Sequence, residues 1–102
     1  MGEKRDAYVK KLKEKLDQWN VEIDKLQTKA DMAKAGARMR YRKEVEKLRK
    51  KSGELGGKLG VLRQTGKTAW QDLRAGLEVA RKSLGESVKT AKSRFKPPKE
   101  NP

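Results

Sequence analysis

Cysteine and histidine are both absent from this 102-residue chain. Without cysteine there is no disulfide framework, no thiolate metal site and no thiol nucleophile. Without histidine the commonest general base and the commonest transition-metal ligand are missing. The carboxylates alternate with lysines along the sequence, as in Asp6/Lys10 and Glu46/Lys50, and read as solvated ion pairs rather than acid/base machinery. These absences predict a non-enzymatic protein with no cofactor, no metal and no small-molecule substrate.

Long apolar runs are missing too, and nothing approaches the roughly 20 residues of a membrane span. The opening MGEKRDAYVKKLKEKL is charged throughout and does not resemble a signal peptide, so a cytoplasmic location is expected, with a peripheral membrane contact as a variant. Hydrophobic residues make up 33% and charged residues 41%, too few of the former for a thick core. Proline does not occur before Pro97, so nothing of that kind interrupts a helix in the first 96 residues.

What is present is periodic. Leu12, Leu16, Trp19, Ile23, Leu26, Ala30 and Ala33 alternate spacings of four and three, an a/d seam. Fours from Ala37 to Tyr41 to Val45 insert a stutter. The pattern resumes with Leu48, Ser52, Leu55, Leu59 and Leu62. This predicts an all-α protein whose first helix runs over about 3–64 as a heptad coiled coil. Gly53, Gly56, Gly57 and Gly60 weaken it by about 1 kcal/mol each. They mark either a softened helix, the favoured reading, or a turn; Gly53, Gly56 and Gly60 also share a small-residue face.

A turn is expected at 65–68. Gly66 suits the left-handed position after a helix, and Thr68 with Gln71 matches a capping box. The tripeptide Gly66-Lys67-Thr68 is not a phosphate loop, because Val61 stands where the motif needs glycine. A second helix is predicted over 69–95, ended by Pro97 and Pro98. It repeats every eleven residues: Ala69, Ala80 and Ala91; Leu73, Leu84 and Phe95; Leu77 and Val88. With Trp70 these form one stripe for helix packing or lipid contact. Residues 96–102 read as a disordered tail beyond a single domain at 1–95.

The second helix is too short to cover the whole first seam. Leu12 to Ala33 then needs a partner, most economically another copy of the chain, and self-association through that seam is the expected function. A three-helix bundle with breaks near Gly36 and Gly66 is the alternative, although Gly36 carries no turn signal.

The net charge is +14, from 28 basic against 14 acidic residues. The densest run holds Arg38, Arg40, Arg42, Lys43, Lys47, Arg49, Lys50 and Lys51. It is a candidate for binding nucleic acid or an acidic membrane surface. Arg74, Arg81 and Lys92 flank one edge of the 69–95 stripe, and Trp70 and Phe95 suit a headgroup boundary. Eleven-residue amphipathic repeats of this kind look like those of exchangeable apolipoproteins and desiccation-protection proteins.

Tyr8, Leu12, Leu16, Trp19 and Ile23-Asp24-Lys25-Leu26 lead into an Ala/Lys run, then Arg40-Tyr41, Glu46-Lys47-Leu48 and Ala69-Trp70-Gln71-Asp72-Leu73-Arg74-Ala75-Gly76-Leu77. This pattern resembles small bacterial coiled-coil stress-response proteins, known from cyanobacteria and proteobacteria, over about residues 5–95. The resemblance implies a non-enzymatic, stress-protective helical protein. The strong basicity and the glycines at 53–60 depart from it.

Overall fold

The computed structural model describes residues 2–65 and 69–95. It contains three helices: α1 (Gly2–Met32), α2 (Ala35–Arg63) and α3 (Ala69–Arg94). They form an elongated bundle with Cα extents of 56 × 19 × 15 Å. No strand occurs among the described residues.

The expected continuous helix over 3–64 is corrected here: the chain reverses at Ala33–Lys34. The amide of Ala33 bonds to the Ala30 carbonyl at 3.2 Å, a tightened last turn. Lys34 is extended, with φ −61° and ψ 152°, and its carbonyl accepts from Ala37 and Arg38 at 2.9 and 2.8 Å. The Arg38 guanidinium then donates Nε and Nη2 to the Ala33 carbonyl at 3.3 and 3.2 Å. A side chain of α2 thus caps α1. Lys34 adopts a conformation open to any residue, so the reversal needs no glycine. Gly36 lies inside the first turn of α2, two residues past the bend.

The reversal is favourable because it covers the first seam within the chain. Leu12, Leu16, Ile23, Leu26, Ala30 and Ala33 are all buried, with Trp19 half-buried beside them. Their partners are Val45, Leu48, Leu55, Leu59 and Leu62 of α2 and Trp70, Leu77, Leu84, Val88 and Ala91 of α3, with Phe95 just beyond it. Two contacts set the register of α1 on α2. Leu16 Cδ2 lies 3.6 Å from where a Cβ on Gly56 would stand. Ser52 Oγ, the buried polar position of the α2 seam, donates to Asn20 Oδ1 at 2.5 Å. The helix continues through 53–60, so the turn reading of those glycines is excluded. No other atom comes within 4 Å of a Cβ position on Gly53 or Gly60, so no helix approaches the small-residue face there.

The face that α3 buries carries both spacings: Leu77 and Val88, and Leu84 and Phe95, are buried eleven residues apart, and Trp70 joins a row seven apart. Trp70, Leu77, Leu84 and Ala91 are buried at heptad spacing, with Val88 and Phe95 between the same rows. Ala69 is exposed, Leu73 stands partly out and Ala80 is half-buried. The N-terminal members of the eleven-residue set, Ala69 and Leu73, are the ones left outside the packed face. At one end Tyr41 stacks on Phe95, ring centroids 4.3 Å apart, and Tyr41 Oη donates to the Arg94 carbonyl at 3.3 Å. At the other end Arg5 donates to the Thr65 carbonyl. The expected roles of Gly66 and Thr68, and the tail at 96–102, lie outside the described residues.

Candidate anion-binding surfaces

The fold sorts the charges. Carboxylates on α1 are drawn into cross-helix pairs: Asp24 with Arg49 at 3.1 Å, Asp31 with Arg42 at 3.0 Å and Glu22 with Lys92 at 2.5 Å. On α2, Glu44 approaches Arg94 at 4.0 Å. The bond from Lys92 holds the Glu22 carboxyl below its ordinary value of 4.5, against a smaller opposing effect of desolvation. A depressed carboxylate stabilises the fold above its unfolded pKa and loses that contribution as pH falls through the folded one.

This sorting divides the basic run predicted from sequence. Arg38 caps α1, Arg42 and Arg49 are paired to α1, and Lys51 Nζ donates to Ser83 and Ser87 Oγ at 3.1 and 2.9 Å. Arg40, Lys43, Lys47 and Lys50 remain exposed and pair with no carboxylate among the described residues. Their spacings of three, four and three place them on one stripe of α2. Arg40, Lys43 and Lys47 border a surface hollow with Tyr41, Glu44, Arg94 and Phe95.

A second surface was not singled out by sequence reasoning. The groove between α1 and α3 is lined by Lys4, Lys11 and Lys15 from α1 and by Arg74 and Arg81 from α3. Glu78 is the one carboxylate in that lining, and it is already engaged. It accepts from Tyr8 Oη and lies 3.6 Å from Arg81. The Arg74 guanidinium sits over two rings, 5.2 Å from the Tyr8 centroid and 5.8 Å from that of Trp70. Further along, Lys15 stands 5.8 Å from the Trp19 ring, whose edge fills the slot left by Gly85. Half of this site was visible, since Arg74 and Arg81 edge the α3 stripe. The spacing of Lys4, Lys11 and Lys15 puts them on one shoulder of the α1 seam. That the two edges abut is a tertiary fact.

Burial, and then the bond to Glu78, raises the Tyr8 phenol above its ordinary value of 10.0. A raised phenol stabilises the fold fully below the unfolded pKa and loses that contribution as pH climbs through the folded one. In a Tyr41→Phe background, the remaining phenol should therefore ionise well above pH 10.0 while the protein stays helical. Spectrophotometric titration reads this. Ionisation at the free-tyrosine value in the folded chain would mean that the Tyr8–Glu78 bond does not form.

The α3 stripe weighed for lipid contact is turned inward: Trp70 is 7% and Phe95 2% exposed. Among the described residues no helix is long and apolar enough to cross a membrane, and no cluster of three or more His, Cys, Asp or Glu side chains is placed to hold a metal ion. Comparison with protein families, with curated proteins and with solved structures finds no match to this chain.

Proposed function

We propose that this chain is a non-enzymatic three-helix bundle that binds the phosphate backbone of nucleic acid without reading its sequence. The observation that supports it is the α1/α3 groove: five cations against one carboxylate, Glu78, which pairs with Arg81 and leaves four of them without an acidic partner there. Cations collected in a groove raise the local anion concentration more than the same charges scattered over a surface. Nucleic acid is favoured over acidic membrane because the apolar residues that would enter lipid form the core. Insertion would require α3 to leave the bundle. Self-association through Leu12–Ala33 loses its premise for the same reason, since the chain covers that seam itself. A stress-protective role, as the resemblance implies, would be exercised by coating nucleic acid.

Titrating a short labelled duplex at several salt concentrations tests the reading. Neutralising about four phosphates predicts a log–log salt slope near −3.6. Replacing Lys4, Lys11 and Lys15 with glutamine should flatten that slope by about 2 to 3 and leave the circular dichroism unchanged. Binding insensitive to salt, or binding to acidic vesicles that exceeds duplex binding with a blue shift of tryptophan emission, would overturn it.

A further inference from the structure

The α1/α3 groove and the Arg40–Lys50 stripe face largely opposite ways, and we propose that one bundle bridges two nucleic-acid duplexes. The inference rests on the phosphate-binding reading above and adds a second, independent contact surface to it.

Direction comes from helix geometry. In a three-helix bundle the groove between two helices opens away from the third, so the α1/α3 groove opens away from α2. On α2 the core direction is marked by Val45, Leu48, Ser52, Leu55, Leu59 and Leu62. At about 100° per residue, the centre of the Arg40, Lys43, Lys47 and Lys50 stripe lies roughly 140° around the helix from that direction. The stripe therefore projects outward from α2. The two surfaces also sit at different heights. Contacts of Asn20 with Ser52, Asp24 with Arg49 and Asp31 with Arg42 show α2 running antiparallel to α1. That register places the centre of the α2 stripe about 25 Å along the axis from the centre of the Lys4–Lys15 row.

The surfaces are separate rather than parts of one basic belt. On the α1/α2 side, Asp24 and Asp31 neutralise Arg49 and Arg42. On the α2/α3 side, the groove lining balances Lys51 and Lys82 against Glu44 and Glu86. Each basic surface is thus bounded by near-neutral flanks. A duplex of a few turns is far shorter than the persistence length of about 150 base pairs and behaves as a stiff rod. It does not curl around a body 15–19 Å thick to reach both surfaces. A duplex seated in the groove leaves the α2 stripe open to a second one.

The test is capture of a free labelled duplex by protein already bound to an immobilised duplex. Two variants remove one surface each: Lys4→Gln/Lys11→Gln/Lys15→Gln, and Arg40→Gln/Lys43→Gln/Lys47→Gln/Lys50→Gln. A control, Lys10→Gln/Lys13→Gln/Lys34→Gln, removes three charges elsewhere. All replaced side chains are exposed, and circular dichroism checks that each variant stays folded. At matched occupancy of the immobilised duplex, the parent and the control should capture the second duplex. Each one-surface variant should lose capture by about ten-fold or more while still binding the first. Parent protein that binds the first duplex but captures no second overturns bridging and leaves the binding reading standing. Capture that survives removal of either surface also overturns bridging as proposed, since copies joined through one kind of surface would then suffice. Protein that does not bind the immobilised duplex at all overturns both.

Discussion

Ile23→Asp should leave the chain largely unfolded at room temperature, at every protein concentration. Ile23 is fully buried in the C-terminal half of α1, in the core to which all three helices contribute. The substitution removes an apolar side chain worth about 1.5–3 kcal/mol of burial. It also places a carboxylate where no cation is available, at a further cost of several kcal/mol. The total matches the whole stability of a small domain, about 5–15 kcal/mol. Circular dichroism and a thermal scan read the result. Ser52 and Asn20 lie one turn away but already satisfy each other, and they offer no positive charge. The outcome also separates two architectures. If the Leu12–Ala33 seam served only to join copies, Ile23→Asp would give a helical chain whose mass has fallen to that of a monomer. A folded monomer of that kind would show the bundle to be wrong.

The opposite effect is expected from three glycines. Gly53, Gly57 and Gly76 lie inside helices, and nothing comes within 4 Å of a Cβ built on any of them. Alanine there narrows the unfolded ensemble and meets no obstacle in the folded one, a gain of about 0.5–1 kcal/mol per site. Together the three should add about 1.5–3 kcal/mol, raising the melting temperature by about 10–20 °C for a domain of this size. Gly85 is the internal comparison. A methyl there would stand 3.0 Å from Trp19 Cζ2, so Gly85→Ala should gain little or lose stability as the indole is pushed from its slot. Differential scanning calorimetry of the triple variant and of Gly85→Ala checks both directions. No rise in the triple variant would mean that the helix is interrupted near Gly53 or that another chain approaches that face.

These glycines show how far local reasoning reached. Leucines 55, 59 and 62 keep the helical period through the glycine segment, and the segment is helical because those leucines are buried. The penalty of about 1 kcal/mol per glycine is real but smaller than the packing it opposes. The break at Ala33–Lys34, which the continuous helix over 3–64 did not contain and the three-helix alternative put near Gly36, has a different origin. The turn uses an extended lysine and an arginine cap from the following helix. Neither leaves a compositional mark.

The basic residues divide in the same way. Arg38 to Lys51 stood out because they are dense in sequence, yet half of them are committed to capping, pairing or serine contacts within the bundle. The α1/α3 groove drew no attention because its cations come from positions 4–15 and 74–81, far apart along the chain.

The amino-acid sequence by itself determined that the protein is helical, most of the residues that form the core, and that α3 ends before Pro97. All of these follow from periodicity and proline chemistry that act within one or two turns. Only the tertiary structure decided that the first seam is covered by its own chain, that Ala69 and Leu73 stay outside the face α3 buries, and which cations keep no partner. Each of those depends on which helix edges meet, and that is set by contacts between residues eleven to seventy positions apart whose spacing along the chain carries no trace of the pairing.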